Sequence, residues 1–416
     1  MGGQKNIHRV WLLFLLTVAP GVALGATPVV APSATPVREM ALRLPFELYH
    51  GLIFLKARVN GSEPLSFIFD TGATITVINE PRATELGLTP RDRQLIAGAD
   101  GGEGTMSFAF ARGASIDLGD ARFAPDQVGV TSLALAEKLF GHPMDGILGG
   151  DFISRYVVEI DYAGKTLTLY EPKAKLAGRV SAAGETLPLR MTNGYPCVSA
   201  RLKLPGREAL DLIFAIDTGG GGSLALNSPL VTRRKLIESM PLVVPGFSAG
   251  LSGETRTVVG RAESLKLGHV AILNPIVGFS QATGGAHARA EIDGIIGSEI
   301  WSRFRVTLDY SRKRMRLEPN DRLHDPFESN MSGLLLIADG ADFKTLRVNQ
   351  VRRDSPAAAA GLHVGDVLLA VDDQPASMFT LFQLEQIFKQ DGREVLLRVR
   401  RGEGQLQFRF RLKRRI

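Results

Sequence analysis

The chain has 416 residues, 44% of them hydrophobic and 22% charged, with a formal net charge of +6. That length and balance exclude a disordered chain or a single small domain and leave room for two or three packed domains. A lone cysteine, Cys197, excludes an intramolecular disulfide framework, and 45 glycines suit a loop-rich β protein better than a helical one.

At the amino terminus, Lys5, His8 and Arg9 flank the apolar run VWLLFLLTVAPGVALG at 10–25, with small residues at Ala23, Gly25 and Ala26. This pattern predicts a signal peptide over 1–26 and export, to a bacterial periplasm or out of the cell. Broken by Pro20 and Gly21, the run is short for a membrane span of about 20 residues. An uncleaved leader that anchors the protein to a membrane is the alternative.

From 42 to 172 the chain alternates short runs of Val, Ile, Phe and Leu with Gly, Asn, Asp and Pro turns, a strand-and-turn pattern. The run FIFDTGATITVIN occupies 67–79, a Gly-rich hairpin candidate AGADGGEGTMSFAF follows at 97–110, and DGILGGDFISRYVVEIDY closes the unit at 145–162. The same series returns over 185–319. YPCVSARL alternates around Cys197, which is read as a small buried hydrophobe. FAIDTGGGGSLALN then stands at 214–227, the hairpin candidate SAGLSGETRTVV at 248–259 and DGIIGSEIWSRFRVTLDY at 293–310. Nine of 18 positions agree between the two closing segments, and the second copy carries one extra residue in its Gly219–Gly222 run. Helical periodicity is confined to 131–141 and 228–239. The expected fold is therefore mainly β, with two duplicated lobes whose equivalent loops meet at a pseudo-two-fold axis.

An aspartate ending an apolar strand is costly to bury as an anion unless donors surround it. A following Thr-Gly supplies them, because the tight turn aims backbone N–H groups at the carboxylate and glycine permits close approach. Two such turns, Asp70-Thr71-Gly72 and Asp217-Thr218-Gly219, occupy the same place in the repeat. Facing each other across the axis, the two carboxyls could not both ionise easily, so one would keep a proton. Such a pair can activate a shared water at an amide carbonyl with no metal and no covalent intermediate.

These motifs resemble the aspartic peptidases, both retropepsin-like and pepsin-like. FIFDTGATITVIN is similar to the family's catalytic loop, and GILGG (146–150) and GIIGS (294–298) to the half-motif packed behind it. The resemblance implies two β-barrel lobes, Asp70 and Asp217 as the catalytic pair, and interlocking hydroxyls on Thr71 and Thr218. It places Gly72 and Gly219 in the turns and one of the Gly-rich hairpins, the first by preference, over the cleft as a flap. The second copy departs from the pattern at Gly220, Gly221 and Gly222, where a looser turn is expected to shift the donors around Asp217. A catalytically decayed protein that binds extended peptides is the alternative reading of that loop.

PNDRLHDPFESNM at 319–331 is a turn-rich linker to a different pattern over 332–416. There SPAAAAGLHVGDVLLAVDDQPA (355–376) resembles a bacterial-type PDZ domain, an α+β module. The resemblance implies a carboxylate-binding loop at Gly333, Leu334, Leu335 and Leu336, with FTLFQLEQIFKQ (379–390) as the helix lining a peptide groove. The expected partners are thus a polypeptide substrate and a peptide terminus or internal peptide at that groove. The basic alternating tail, RVRRGEGQLQFRFRLKRRI, reads as a final strand with one solvated face, not a nucleic-acid site; it leaves contact with an anionic membrane surface open. GFSAG at 246–250 matches a serine-nucleophile turn but lies inside a β repeat, without the strand-turn-helix setting that turn needs. The seven histidines show no metal-ligand spacing, so neither a metal nor another cofactor is expected.

Overall fold

The computed structural model describes residues 41–97, 104–173, 184–247 and 249–416; the leader expected over 1–26 lies outside them. Among the described residues no helix is long and apolar enough to cross a membrane. The fold is mainly β. Each copy of the repeat builds its own twisted sheet, and the two sheets have the same strand order. In the first, Gly146–Leu148 runs between Val77–Asn79 and Leu65–Phe69, next to which lies the long strand Leu52–Val59. In the second, Gly294–Ile296 runs between Leu224–Leu226 and Leu210–Ile216, followed by Tyr195–Lys203.

These central strands read as near-continuous apolar runs because they are covered on both faces. Phe67, Phe69, Phe123 and Phe152 are fully buried in the first lobe, and Phe214, Phe279, Trp301 and Phe304 in the second. Burial of each aromatic side chain contributes about 1.5–3 kcal/mol. Trp301 also satisfies its indole N–H, which donates to the Ile296 carbonyl at 2.7 Å. Cys197 is buried against Ala215 and Ile292, as the alternation around it predicts.

A six-stranded sheet joins the lobes, and at its centre Val157–Asp161 pairs antiparallel with Phe304–Asp309. Glu159 lies opposite Thr307, its own counterpart in the repeat, so the pseudo-two-fold axis passes between them. One apolar core runs through both lobes and this shared sheet.

The C-terminal module has a core of its own, built from residues such as Leu334, Leu346, Leu384, Val395 and Val399. Its sheet runs Leu334–Asp339, Thr345–Val351, Val367–Val371, Glu394–Arg401, Gly404–Arg411, leaving Leu334–Asp339 at the edge. Thr380 and Gln383 form a capping box that starts the helix Leu381–Phe388. The segment expected as a plain turn-rich linker is pinned. The Arg303 guanidinium, nearly fully buried, donates to the carbonyls of Arg322, Leu323 and Asp325 at 3.1, 3.2 and 2.6 Å. It also stacks on the Phe327 ring at 3.6 Å.

Removing a buried charge-assisted donor leaves several carbonyls unsatisfied, at about 1–3 kcal/mol per group. Arg303→Ala should therefore lower unfolding stability by about 3 kcal/mol or more in urea titrations. Arg305→Ala, which breaks an exposed pair with Asp161, should cost about 1 kcal/mol or less.

Candidate active site

The two Asp-Thr-Gly turns meet at the pseudo-two-fold axis. Thr71 Oγ1 donates to the Ile216 carbonyl at 2.6 Å, and Thr218 Oγ1 donates to the Phe69 carbonyl at 2.9 Å. Each hydroxyl also accepts the other's backbone N–H: Thr71 N to Thr218 Oγ1 at 3.0 Å, and Thr218 N to Thr71 Oγ1 at 3.1 Å. Both threonines are buried, so these four bonds are shielded from water and fix each strand end to the other lobe.

The carboxyls of Asp70 and Asp217 stand side by side above this lock: a Cβ on Gly72 would lie 3.1 Å from Asp70 Oδ1 and 2.7 Å from Asp217 Oδ1. Gly72 N donates to Asp70 Oδ1 at 2.7 Å, and Gly219 N donates to Asp217 Oδ1 at 2.9 Å. Glycine is obligatory here for space. A Cβ on Gly72 would stand 2.7 Å from Asp217 Oδ1, and one on Gly219 would lie 2.5 and 2.6 Å from the Asp70 oxygens. The sequence-predicted residues Asp70, Thr71, Gly72, Asp217, Thr218 and Gly219 thus converge on one point.

The two carboxyls are not electrostatically alike. Burial, and then the charge of Asp217, push the Asp70 carboxyl well above the ordinary carboxylate range, against the Gly72 and Gly219 N–H groups that pull it down. Burial raises Asp217 as well, but the hydrogen bond from Asp70 and the N–H groups of Gly219 and Gly220 offset part of that. Two raised carboxyls this close titrate as a pair that shares one proton.

The Gly-rich second loop takes up its extra residue away from the grip. Gly220 and Gly222 carbonyls accept from Ser298 N at 2.8 Å and Glu299 N at 3.3 Å, whereas in the first copy Gly150 N donates to Ala73 at 2.8 Å. A further asymmetry lies behind the loop. Thr76 Oγ1 donates to Asp151 Oδ1 at 2.8 Å in the first copy, while Leu224 and Glu299 stand at the equivalent places in the second. Burial raises the Glu299 carboxyl, against the pull of Lys389, Arg303, Arg322 and Arg261.

Residues singled out by neither motif complete the scaffold. Asp145 accepts from Ser66 N and from Arg82 Nε, both at 2.7 Å, and its counterpart Asp293 accepts from Ile213 N at 2.9 Å. Asn79 Nδ2 donates to Met144 O at 3.0 Å, and Asn227 Nδ2 donates to Ile292 O at 2.8 Å. Their identity in both copies is the signal that would have revealed them. The hydroxyls of Tyr162 and Tyr310, another repeated pair, are buried without a partner among the described residues. Burial raises both phenols, with smaller contributions from the charges of Asp217 and Asp70 respectively.

The two hairpin candidates meet each other. The first pairs Arg91–Ala97 with Thr105–Ala111; its tip, 98–103, lies outside the described residues. The second pairs Ala249–Gly250 with Gly253–Glu254. Gly104 lies so close to the Ser252 carbonyl that a Cβ would collide with it, so the hairpins touch. Leu251 packs against an apolar cluster of the first lobe that includes Phe54, Ile68, Val77 and Met144. GFSAG falls in this second hairpin region, and its Ser248 lies outside the described residues.

In the C-terminal module Gly333 adopts a left-handed turn (φ +81°) where a Cβ would collide with Ser355. Leu334 and Leu336 are buried in the module's core, and Leu335 is half-buried.

Residues 55–152 match the family model described as aspartyl protease, and residues 347–401 match the model of the PDZ domain. Among solved structures the chain is similar to the aspartic proteinase from Irpex lacteus, with 14% identity, 69% of this chain and 99% of that chain covered, and a TM-score of 0.44. No curated protein matches the chain. The chain is thus similar to aspartyl proteases over its first lobe and to PDZ domains over its C-terminal module, as its paired Asp-Thr-Gly turns and its Ala-rich turn led one to expect.

Proposed function

We propose that the protein is an exported aspartic endopeptidase that hydrolyses peptide bonds through Asp70, Asp217 and a shared water, with the PDZ domain recognising peptide or substrate. The observation that carries this reading is the convergence of the two carboxyls on one point, held by reciprocal threonine bonds. Asp217, ionised, takes a proton from a water lodged between the carboxyls as its oxygen adds to the amide carbon. Asp70, protonated, donates a hydrogen bond to the carbonyl oxygen as negative charge grows there. The proton collected by Asp217 then passes to the leaving nitrogen as the C–N bond breaks, and the pair returns to its one-proton state. The preserved donors at Gly219 and Gly220 favour this reading over a decayed peptide binder.

The test is cleavage of a denatured protein substrate, with sites mapped by mass spectrometry. Asp70→Asn and Asp217→Asn should each lower kcat/KM by about 10²–10⁴-fold. Turnover that survives Asp217→Asn at near wild-type rate would remove the pair from the mechanism.

The raised Asp70 carboxyl also predicts a stability signature. Its folded value lies above its unfolded value, so the native state binds more protons than the unfolded one between the two. The associated stability is fully present below the unfolded value and is lost as pH rises through the folded value. Asparagine has no such titration. The melting temperature of Asp70→Asn, relative to wild type, should therefore climb as pH is raised from acid to neutral; scanning calorimetry across that range reads the difference.

A further inference from the structure

In a PDZ domain, backbone N–H groups of the loop before the edge strand form an anion site that takes a peptide's terminal carboxylate. Here that loop is already filled from within. Asn330 Oδ1 accepts from Ser332 N at 3.0 Å, Ser332 Oγ at 2.7 Å and Gly333 N at 3.3 Å. Ser332 Oγ in turn accepts from Leu334 N at 3.0 Å. The Asn330 amide oxygen and the Ser332 hydroxyl thus take the N–H groups of Gly333 and Leu334, the first two of the expected carboxylate loop, and Asn330 Nδ2 is itself tied to the Leu334 carbonyl at 2.9 Å. The cation beside the loop, Arg352, is nearly buried, with the Phe247 ring of the second lobe 5.2 Å away.

The other end of the groove is occupied by the first lobe. The strand Leu334–Asp339 is an edge strand, so one row of its backbone groups lacks a strand partner. Its side chains alternate, with Leu334, Leu336 and Ala338 facing the module's core. Lys138, in the helix Ala134–Phe140, pairs with Asp339 on the opposite face at 3.1 Å. Gly141, three residues on, sits against both Ala338 on the core-side face and Leu381 of the groove helix. The first-lobe chain thus lies against the last two residues of the edge strand and the start of the groove helix. Alongside it, His50 pairs with Glu385 at 3.2 Å, and the rings of Tyr49 and His50 pack on Phe382 at 5.8 and 5.2 Å.

We infer that the groove between Leu334–Asp339 and Leu381–Phe388 takes an extended internal polypeptide segment, not a free C-terminus, in competition with the first-lobe block formed by Tyr49, His50, Lys138 and Gly141. This rests on the peptide-binding reading of the PDZ domain but not on proteolysis. An internal segment adds to the edge strand by main-chain hydrogen bonds alone, and needs no charge at the filled loop. It must also displace the first lobe from the strand's far end, so its apparent affinity is reduced by the fraction of molecules in which that block is docked.

The test uses the full chain carrying Asp70→Asn and Asp217→Asn, so that probes are not cut. Two phage libraries of random peptides, one displayed internally and one with a free C-terminus, are panned on it. Groove binders are those that protect the backbone amides of 334–339 from hydrogen exchange. Selected peptides, resynthesised, should bind with a free or an amidated terminus within about twofold. They should bind about threefold or more tightly when Lys138→Glu or His50→Ala, both outside the groove, weakens the seam. An affinity loss of about tenfold or more on amidation, the scale of a lost charge-assisted bond, would overturn the inference and make Arg352 the carboxylate partner. Equal affinity with and without the seam substitutions would overturn the competition. Failure of every protein to select a groove peptide would sink the peptide-binding reading itself, and the inference with it.

Discussion

The reciprocal lock between Thr71 and Thr218 is the constraint on which the site depends. Each hydroxyl donates across the axis to a strand-end carbonyl and accepts an N–H from the opposite turn. A single lobe cannot make this arrangement, since every bond needs its counterpart from an equivalent turn. Each bond contributes about 1 kcal/mol net, and leaving one of these buried groups unpaired would cost more. The lock therefore fixes the two turns, and with them the two carboxyls, against each other across the axis.

Given that lock, geometric near-symmetry and electrostatic asymmetry coexist. Each carboxyl accepts its own turn's N–H, at 2.7 and 2.9 Å, and feels a second one; for Asp217 the second is Gly220 of its own loop, whereas for Asp70 it is Gly219 from across the axis. The four-glycine turn supplies the difference, because without side chains its backbone can follow the carboxylate closely. The departure from the repeat that reads as a weakness in the sequence is thus compatible with the division of labour that a one-proton pair needs.

The duplication was legible because the closing segments keep nine of 18 residues at the same places; the structure adds that Glu159 pairs with its repeat counterpart Thr307 across the axis. The Asp-Thr-Gly turns were legible because few contexts make two buried acids tolerable. Asn79, Asn227, Asp145 and Asp293 were passed over although they repeat, since Asn and Asp at strand ends also read as ordinary turn residues. The pinning of the linker by Arg303, the contact of Gly104 with Ser252, and the filling of the anion loop by Asn330 were not legible. These depend on how finished surfaces meet, or on one side chain's rotamer, and neither leaves a periodic trace in the sequence.

The placement of the C-terminal module gives those unpredicted contacts a common consequence. The helix Ala134–Phe140 packs Ala136 and Phe140 into the first lobe's apolar cluster, while Lys138 faces the module. On the opposite lobe, Asn349 Nδ2 donates to Glu254 in the second hairpin at 3.3 Å, and Arg352 lies over Phe247 at that hairpin's base. The same hairpin lays Leu251 against that apolar cluster. The module therefore touches both the helix that contributes to the first lobe's cluster and the hairpin that packs on it. Because Asp339 and Asn349 stand on an edge strand and its neighbour, a displacement of that strand reaches both contacts together.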